Sequence, residues 1–489
     1  MNGPFDALCE QVEQGGVEVR ADSRQVQPGD IFVAVPGASE DGARFIPAAL
    51  EAGAGVIVCT PQAAASLEAG GACRIVAHAD PREALWRLAA ARWHTAAHPM
   101  TIIGVTGTNG KTTSAYLLEH LFTAAGHTVG VLGTVNYRWP GHVENAPLTT
   151  PDPLSLHAML ARMAEAGVDV AIMEVSSHAL DQQRVGGIPF AGALFTNLTQ
   201  DHLDFHPDMD AYFAAKARLF TELPRQDKAL AVNADDAWGR RLLDLCPAAL
   251  SYGLQVAPAA GEAGGRHRHL RGEIRHAGTD GLQLRMTLEG RAWELRSPLV
   301  GQFNALNLLG VQALALGLGL DVEALRALED FRGVSGRLER VENPRGLNVF
   351  VDYAHTPDAL VNVLQALRGA GFKRIVAVFG CGGNRDRGKR PLMGEAVARH
   401  ADVAVLTSDN PRFEEPEAIL RDVLPGLKTA REVLVEADRR TATRKALEML
   451  GPEDALLIAG KGHEDYQIIQ GVKHHYSDQE VVREILGCA

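Results

Sequence analysis

The stretch Thr101–Thr113, TIIGVTGTNGKTT, carries the residues best suited to chemistry. β-Branched and apolar residues run into a glycine-rich turn, and a helical pattern follows that stops at Gly126. In such a strand–turn–helix unit the backbone N–H groups and the helix N-terminus cradle a phosphate, a lysine reaches the β- and γ-phosphates, and a threonine hydroxyl binds Mg²⁺. The pattern therefore predicts a nucleotide phosphate site formed by Gly107, Thr108, Asn109, Gly110, Lys111, Thr112 and Thr113.

The glycine spacing of this loop departs from the strict phosphate-loop pattern. That pattern requires a glycine at position 105, whereas the chain has Val105 there and Gly104 one residue earlier. A structural glycine turn is the alternative interpretation. The Gly-Lys-Thr sequence between a predicted strand and a predicted helix favours the phosphate site.

Two further polar segments follow predicted strands. Glu174 ends the apolar run VAIM, where it can face metal-bound phosphates, and a solvated loop carboxylate is the alternative. The segment TNLTQDHLDFH contains His202 and His206 at helical spacing. Because the chain lacks HExxH and Pro207 follows, zinc is disfavoured, and oxygen ligands with phosphates favour Mg²⁺.

Arg385, Arg412 and Glu464 each follow a predicted strand in the last third of the chain. Ligands of parallel sheets bind at the carboxyl ends of the strands. Guanidinium groups suit a carboxylate and a glutamate suits an ammonium group, so the set predicts a site for a small zwitterion. The alternative is that each residue is an ordinary solvated side chain.

Composition narrows the class of protein. Of the 489 residues, 46% are hydrophobic and 22% are charged, which indicates a globular protein. The net charge of −12, with no long basic run, argues against nucleic acid or an anionic membrane as the main partner. The six cysteines lack C-x-x-C spacing, the N-terminus lacks a signal-peptide pattern and no apolar run is long enough to span a bilayer, so we expect a cytoplasmic enzyme.

Strand and helix patterns alternate over most of the chain, which predicts an α/β fold in three domains. Residues 1–98 form a small N-terminal α/β domain, in which ADSRQVQPGDIFVAVPG predicts two short strands around a Pro-Gly-Asp turn. Residues 99–332 form a central phosphate-loop ATPase domain with a mostly parallel sheet and a small β-hairpin region within 250–300. Residues 333–489 form a Rossmann-like domain that lacks GxGxxG after its first strand, which disfavours a dinucleotide site.

Taken together, the motifs resemble those of the Mur ligases of peptidoglycan synthesis. The motifs are TGTNGKTT, MEVSSHAL, FTNLTQDHLDFH, DYAHTPDAL, GCGGNRDRGKRP, DNPR and GKGHEDY. Within the family they are most similar to the ligases that act on UDP-N-acetylmuramoyl-L-alanyl-D-glutamate and add the third residue of the stem peptide. The resemblance extends over nearly the whole chain, from DSR near its start to HEDY near its end.

This resemblance implies an ATP-dependent peptide ligase with Mg²⁺ as cofactor. ATP phosphorylates the D-glutamate carboxylate to an acyl phosphate, the amine of the incoming amino acid attacks it, and phosphate leaves. The N-terminal domain is implied to bind the UDP-sugar, the central domain ATP, and the C-terminal domain the incoming amino acid. We expect a monomer.

The resemblance also assigns the catalytic, nucleotide and metal residues. Lys111, Lys216 and His202 are implied to be catalytic, and Asn304 and Arg337 to lie at the nucleotide. The implied Mg²⁺ ligands are Thr112, Glu174, His202 and Lys216. From its own pattern, Lys216 in YFAAKARLF would be a surface lysine, but the family carries a carbamylated lysine there, which supplies an anionic oxygen ligand.

Two sets of substrate residues follow from the resemblance. The UDP-substrate set contains Ser23, Thr149, Thr150, Ser176, Gln182 and Arg184, with the loop 38–40 at the uridine end. The third-residue set contains Arg385, Asp409, Asn410, Pro411, Arg412, Gly460 and Glu464. DNPR resembles the version that selects meso-2,6-diaminopimelate, whose far carboxylate an arginine recognises.

Three alternatives to this function remain open. The same ligase could use L-lysine as the acceptor. A folylpolyglutamate synthase-like ligase would keep the fold, but GKTT, EVSSHAL and DNPR argue against it. A catalytically inactive nucleotide-binding partner in cell-wall assembly is disfavoured because Lys111, Glu174, Lys216 and His202 are all present.

Overall fold

The computed structural model describes residues 3–37, 40–67, 73–255 and 268–487. Proline at the first position and a polar cap begin several of the helices, as at α11, where the Thr356 hydroxyl accepts a hydrogen bond from the Ala359 N–H group. The helices are α1 Pro4–Glu13, α2 Ile46–Glu51, α3 Pro61–Ala65, α4 Pro81–Arg92, α5 Lys111–Ala124, α6 Pro153–Glu165, α7 Ser177–Asp181, α8 Met209–Thr221, α9 Ala237–Leu245, α10 Gln302–Gly317, α11 Pro357–Gly369, α12 Lys389–His400, α13 Pro416–Val423, α14 Arg439–Glu448 and α15 Asp478–Leu486.

Most central strands are short runs of apolar and β-branched residues, which favour extended backbone. The strands are β1 Val19–Arg20, β2 Ile31–Val33, β3 Val56–Cys59, β4 Arg74–Ala77, β5 Thr101–Thr106, β6 Val129–Leu132, β7 Asn136–Trp139, β8 His142–Asn145, β9 Val170–Glu174, β10 Phe190–Phe195, β11 Pro224–Asn233, β12 Leu250–Gly253, β13 His269–Gly278, β14 Gly281–Leu288, β15 Arg291–Ser297, β16 Glu339–Arg340, β17 Asn348–Asp352, β18 Arg374–Phe379, β19 Val403–Leu406, β20 Val433–Val435, β21 Asp454–Ala459, β22 Tyr466–Ile469 and β23 Val472–His475.

The chain divides into two compact units, which are described separately. The first unit contains Met1–Thr106, Phe122–Leu194 and Ala214–Leu230. The second unit contains Gly107–Leu121, Phe195–Phe213 and Ala231–Ala489. The domain boundaries predicted at 98/99 and 332/333 stay predictions.

The first unit begins with a four-stranded parallel sheet in the order β1-β2-β3-β4. Apolar residues of α1 and α4 pack on one face, and those of α2 pack on the other. The sequence predicted two strands directly around the Pro28-Gly29-Asp30 turn, and only β2 is so placed. On the other side Asp22 caps a short helical turn, Ser23–Gln25, so β1 ends earlier, at Arg20.

The first unit also contains the strand order β10-β5-β9-β6-β7-β8. Strands β5, β9 and β6 are parallel, as predicted, and their carboxyl ends therefore point in the same direction. The hairpin of β7 and β8, which adds antiparallel strands next to β6, was not predicted. Buried residues with large apolar side chains fill the strands, and Gly104 lies against Leu219 and Phe190, which leaves little space for a side chain.

In the second unit, β12 and β13 are parallel, and β13, β14 and β15 form an antiparallel meander. This meander confirms the hairpin region predicted within 250–300. Helix α10 packs on it so closely that a Cβ atom at Gly272 would lie 2.4 Å from the Leu309 side chain. The close packing leaves no space for a larger residue at position 272.

The second unit ends in a six-stranded sheet with the order β16-β17-β21-β18-β19-β20. All neighbouring pairs are parallel except β16 and β17. Helices α11, α12 and α13 supply apolar residues to one face, and α14 and α15 supply them to the other. This arrangement confirms the predicted Rossmann-like fold, with α/β layers on both faces of a mostly parallel sheet.

A buried ion pair joins two helices of this sheet. The Arg439 guanidinium donates hydrogen bonds to both carboxylate oxygens of Asp478, at 2.9 and 2.8 Å, and neither side chain has any exposed area. Arg439 also donates to the carbonyl oxygen of Ala459, at the end of β21. The pair therefore ties α14 and the start of α15 to a strand end.

Among the described residues, no helix combines the length and the apolar character that crossing a membrane requires.

The buried ion pair gives a stability prediction. Arg439→Ala should lower the free energy of unfolding by about 3–5 kcal/mol, because the buried Asp478 carboxylate would lose its partner of opposite charge. The neighbouring Arg440→Ala is the matched control, since its ion pair with Glu484 is largely exposed and is expected to contribute little. Urea unfolding followed by circular dichroism measures both variants, and equal losses would contradict the prediction.

Candidate active site

In the second unit, the phosphate loop occupies the turn between β5 and α5. Gly107 and Gly110 have φ values of +149° and +86°. A Cβ atom would lie 1.9 Å from Thr196 Oγ1 at the first glycine and 2.5 Å from Asn307 Oδ1 at the second. Both the backbone conformation and the lack of space therefore require glycine at these two positions.

The segment that follows β10 holds this loop in place. The Thr108 N–H donates to the Asn197 carbonyl at 2.9 Å, and the Asn109 N–H donates to Asn197 Oδ1 at 2.9 Å. Thr196 Oγ1 donates to the Asn109 carbonyl at 2.6 Å, and Thr108 Oγ1 donates to the Thr199 carbonyl at 3.2 Å. The structure thus brings together two motifs, TGTNGKTT and TNLT, that the sequence separates by about ninety residues.

Lys111 begins α5 and folds back over the loop. Its Nζ donates to the carbonyl oxygens of Gly107 and Thr108, each at 2.8 Å. Thr113 is buried in the same helical turn. A cation, a helix N-terminus and the backbone of a tight glycine turn lie together, which is the chemistry of an anion site.

Arg337 lies at the same helix start, as the sequence resemblance implied for a nucleotide residue. Its Nη2 donates to Thr112 Oγ1 at 3.0 Å, and its guanidinium carbon lies 4.4 Å from the centre of the Tyr353 ring. The Asp352 carboxylate, at the end of β17, accepts backbone hydrogen bonds from Leu338 and Ala354. Burial raises the pKa of Asp352, although the positive charge of Arg337 opposes this shift.

Two buried asparagines begin α10. Asn307 Nδ2 donates to Asn304 Oδ1 at 3.2 Å, and Asn304 Nδ2 donates to the Val300 carbonyl at 2.9 Å. The sequence assigned Asn304 to the nucleotide, but Asn307 is the residue that lies against Gly110. Both lie within the first two turns of one helix, so a single element positions them.

His202 lies in a left-handed turn, with φ of +56°. Its ring Nε2 lies 3.5 Å from Asp201 Oδ2, and its ring meets that of Tyr212 edge-on at 6.0 Å. Burial opposes ionisation of Asp201, but the positive charges of His202, His355 and Lys389 outweigh it and lower the pKa of Asp201. A carboxylate that stays ionised beside His202 can orient its imidazole.

In the first unit, Glu174 ends β9 with 1% of its surface exposed. Its two carboxylate oxygens accept hydrogen bonds from the N–H and the hydroxyl of Thr134, each at 2.9 Å. The Thr149 hydroxyl lies 3.1 Å from that of Thr134, and Gly133 leaves room for the carboxylate, since a Cβ there would lie 2.5 Å from Glu174 Oε1. The carboxylate is therefore held in one orientation by neutral donors.

Hydrogen bonds link four more predicted UDP-substrate residues to the end of the same strand. Thr150 Oγ1 donates to the Glu174 carbonyl at 2.8 Å and accepts from the Ser176 N–H at 3.0 Å. Arg184 donates to the Thr150 carbonyl at 3.1 Å and to Gln182 Oε1 at 2.7 Å. With Thr149, five of the six predicted residues form one polar cluster around Glu174.

The sixth residue, Ser23, lies elsewhere in the first unit, in the short helical turn capped by Asp22. In the predicted uridine loop 38–40, Glu40 is exposed, and residues 38 and 39 lie outside the described residues. Ser23 is therefore not part of the Glu174 cluster, and its contact with the UDP-substrate stays a prediction.

Lys216 is buried in α8, with 1% of its surface exposed. The interpretation of its pattern as that of a surface lysine was wrong. The spacing contained the signal, because Lys216 lies four residues after Tyr212 and three before Leu219, which are both fully buried on the same helix. Lysine is almost never fully buried unless its charge is compensated. Lys216 is therefore a candidate functional residue of the first unit.

A second polar cluster in the second unit forms around Asn410. Asn410 Nδ2 donates to Glu464 Oε2 at 2.8 Å, and Asn410 Oδ1 accepts from Lys461 Nζ at 3.1 Å and from the Ile468 N–H at 2.9 Å. This pattern fixes the orientation of the amide. Two predicted residues thus share one network with Lys461, which is fully buried and which the sequence interpretation missed.

Arg412 extends this cluster toward Arg385. Its Nη1 donates to the Gly383 carbonyl at 2.9 Å, and a Cβ at Gly383 would lie 1.9 Å from the Pro411 carbonyl oxygen. Burial lowers the pKa of Arg412, and the positive charge of Arg385 lowers it further. Two guanidinium groups held near each other favour an anionic ligand.

The cluster also contains two carboxylates whose pKa values are shifted in opposite directions. Burial raises the pKa of Glu464, and the negative charge of Asp409 raises it further. Burial opposes the charge of Asp409 itself, but Lys461, whose Nζ lies 3.4 Å from Asp409 Oδ1, and Arg439 lower its pKa. Gly460, with φ of +115°, turns the chain directly beside Asp409.

The residues that the structure describes contain no group of three or more His, Cys, Asp and Glu side chains that could hold a metal ion. The implied Mg²⁺ ligands Glu174 and Lys216 belong to the first unit, and Thr112 and His202 belong to the second. Their roles at a metal stay predictions.

Comparisons with known proteins identify the family. The family description "Mur ligase family, catalytic domain" matches residues 17–93, "Mur ligase middle domain" matches 105–315, and "Mur ligase, glutamate ligase domain" matches 336–462. The chain is 53% identical, over 485 residues and 99% of each chain, to the UDP-N-acetylmuramoyl-L-alanyl-D-glutamate--2,6-diaminopimelate ligase of Lawsonia intracellularis (strain PHE/MN1-00). This chain belongs to the Mur ligase family.

Other relatives of this Mur ligase carry the same name. The enzyme of Synechococcus elongatus (strain ATCC 33912 / PCC 7942 / FACHB-805) is 47% identical over 470 residues, which are 95% of this chain and 93% of the relative. A solved structure of a UDP-N-acetylmuramoyl-L-alanyl-D-glutamate--2,6-diaminopimelate ligase has a TM-score of 0.66 at 33% identity and covers 96% of this chain and 94% of its own. The three-domain Mur ligase fold predicted from the sequence is confirmed.

The phosphate loop of this Mur ligase gives a direct prediction. Gly110→Ala should weaken the binding of ADP about tenfold or more, because a Cβ atom would displace Asn307 from the loop. Isothermal titration calorimetry with ADP measures the affinity.

Gly126→Ala is the matched control. Gly126 has nearly the same φ, +90°, but no atom within 4 Å of its added Cβ, so both variants carry similar backbone strain and only one carries the clash. Equal ADP affinity in the two variants would show that the space at Gly110 does not matter for binding.

Proposed function

We propose that this Mur ligase joins meso-2,6-diaminopimelate to UDP-N-acetylmuramoyl-L-alanyl-D-glutamate in peptidoglycan precursor synthesis, with ATP as co-substrate. The observation that carries the proposal is the cluster on the loops after β19 and β21, where Arg412, Asn410 and Glu464 are held together. It is supported by relatives up to 53% identical that are named as ligases of this kind.

The chemistry of this cluster suits diaminopimelate. One end of diaminopimelate is a carboxylate with a neighbouring ammonium group, and its other end supplies the attacking amine. The guanidinium groups of Arg385 and Arg412 favour the carboxylate, and the carboxylate of Glu464 favours the ammonium. L-lysine lacks the carboxylate at its far end, so its binding would leave the guanidinium groups without an anion.

The reaction transfers the γ-phosphoryl group of ATP to the D-glutamate carboxylate, which gives ADP and an acyl phosphate. The diaminopimelate amine then attacks the acyl carbon, and the resulting intermediate loses phosphate and a proton to give the amide. The loop N–H groups and Lys111 would hold the phosphate oxygens while charge moves between them. Lys111 is suited to this role because it already lies over the loop.

The donor groups fit Mg²⁺ bound mainly through nucleotide phosphates. Mg²⁺ sites of this kind use one or two protein carboxylates rather than a full protein cage, so they need no cluster of three acidic or histidine side chains. The family resemblance assigns the Thr112 hydroxyl, Glu174, His202 and a carbamylated Lys216 to this ion, and each of these groups has an oxygen or nitrogen atom that can bind Mg²⁺. When bound, it would neutralise negative charge on the phosphate oxygens.

Carbamylation would account for the burial of Lys216. Its amine would add CO₂ and lose a proton, which gives the side chain an anionic oxygen ligand. Lys216→Ala should therefore be nearly inactive and be partly rescued by short carboxylates such as formate or acetate. The exposed Lys228→Ala serves as the control and should keep its activity. Full activity of Lys216→Ala, measured as ADP release, would contradict the proposed metal role.

The proposed function predicts strict dependence on both substrates. Phosphate should be released from ATP only when UDP-N-acetylmuramoyl-L-alanyl-D-glutamate and meso-2,6-diaminopimelate are both present. The assay should be run across L-lysine, L-glutamate with a folate acceptor, and meso-2,6-diaminopimelate. Equal turnover with L-lysine would refute the acceptor choice, and turnover of the folate would favour the folylpolyglutamate synthase-like alternative.

Arg412→Ala tests the acceptor site within the same assay. It should raise the KM for diaminopimelate about tenfold or more and leave the KM for ATP nearly unchanged, because a charge-assisted hydrogen bond to the ligand is lost. Arg387→Ala is the control, since its side chain is 70% exposed and pairs with Glu414. An unchanged KM for diaminopimelate in Arg412→Ala would remove Arg412 from the site.

A further inference from the structure

One carboxylate outside the predicted site residues touches the phosphate loop. Asp358, the second residue of α11, receives three hydrogen bonds on its Oδ2 atom. They come from Asn109 Nδ2 at 3.0 Å, Thr199 Oγ1 at 3.2 Å and Asn362 Nδ2 at 3.1 Å. Two of these donors belong to the segments that build the phosphate loop, and the third belongs to α11 itself.

Asn109 is held by hydrogen bonds to both its backbone and its side chain. The Asn109 N–H donates to Asn197 Oδ1, and the Asn109 carbonyl accepts from Thr196 and Asn197. Its side-chain amide then donates to Asp358. The same amide also donates to Thr199 Oγ1 at 3.5 Å. The segment 196–199 therefore holds both the backbone and the side chain of Asn109, and α11 adds a second contact to the side chain.

A carboxylate beside a phosphate site is electrostatically unfavourable. Like charges within a few ångströms repel, and burial raises the pKa of Asp358, so its charged form is also poorly solvated. The hydrogen bonds from Thr199, Asn109 and Asn362 oppose that shift. The negative charge of Asp358 therefore opposes phosphate binding. The carboxylate can favour binding only by holding Asn109 and Thr199 in position.

We propose that Asp358 is a positioning residue for the nucleotide site. It orients Asn109 and Thr199, so that the phosphate loop keeps its binding geometry only while the first turn of α11 is docked against it. The inference deepens the proposed function, because it rests on a nucleotide phosphate at this loop. It makes nucleotide affinity depend on a helix that carries none of the predicted nucleotide residues.

A purely structural role for Asp358 makes a different prediction. An acidic side chain in the first turn of a helix interacts favourably with the helix dipole, and the bond from Asn362 is local to α11. If that were its whole contribution, removal of Asp358 would lower stability without changing nucleotide affinity. Asn362→Ala is the matched control, since it removes a donor from the same oxygen without touching the loop.

The test is calorimetric titration of the full chain with ADP in the absence of other substrates. Asp358→Ala should weaken ADP binding about tenfold, as expected for loss of charge-assisted hydrogen bonds. Asn362→Ala should bind ADP as the unsubstituted chain does. The double variant Asp358→Ala with Asn109→Ala should bind no more weakly than the weaker single variant, because both changes break the same contact.

Kinetics and hydrogen exchange complete the experiment. In Asp358→Ala the KM for ATP should rise about tenfold while the KM for diaminopimelate stays unchanged. In the unsubstituted chain, ADP should slow amide hydrogen exchange in residues 357–362 together with residues 107–111, and this measurement holds even if a variant does not fold.

Three results would overturn the inference: wild-type ADP affinity in Asp358→Ala, equal losses in Asp358→Ala and Asn362→Ala, or protection confined to residues 107–111. Failure of ADP to bind the unsubstituted chain would instead refute the proposed nucleotide site. The two failures are thus distinguishable.

Discussion

Close packing around the phosphate loop is the main constraint on the candidate nucleotide site of the second unit. Gly107 packs against Thr196 and Gly110 packs against Asn307, so the loop can follow only one path between β5 and α5. The neighbours that hold it, Asn197 and Thr199 among them, are mostly neutral amides and hydroxyls. Neutral partners fix the backbone without cancelling the positive potential of its N–H groups and of Lys111, which an anion site requires.

Two kinds of partner hold the buried polar groups of the protein, namely neutral hydroxyl groups and charges of opposite sign. Around Glu174 in the first unit, hydroxyl groups of Thr134 and Thr150 satisfy the strand end. In the second unit, charges lie buried beside charges of opposite sign, as in Arg439 with Asp478 and Lys461 with Asp409. Networks of this kind define one geometry because any unpaired member would be costly.

Much of this organisation follows from the sequence, because strand-to-turn transitions are local. The order of β5, loop and α5 and the strand-end positions of Glu174 and Arg412 could be predicted from apolar runs and turn residues. Side-chain partners could not, because they depend on which distant segments meet. Nothing in the local pattern of Asp358 or Lys461 indicates that one would bind Asn109 and the other Asn410.

The sequence-based prediction that Lys216 lies at the surface failed for a different reason. The helical spacing of Lys216 relative to buried residues could be seen in the sequence. The interpretation nevertheless placed it at the surface because lysine is a charged residue. Ser23 lies in a short helical turn capped by Asp22, and its contact with the UDP-substrate stays a prediction. For Lys216, position on the helix was a more reliable guide than residue type.

Under the proposed function, the backbone at Arg412 restricts how the preference for an acceptor can change during evolution or engineering. Its N–H donates to the Ile468 carbonyl and its carbonyl accepts from the Gln470 N–H, so the residue is attached to the edge of β22 like a short extra strand. Its φ of +55° disfavours β-branched side chains and is best tolerated by glycine, asparagine and aspartate. Only a small set of residues can therefore replace this arginine without moving the loop, and a wider change of acceptor would require exchange of the loop and the β22–β23 hairpin as one piece.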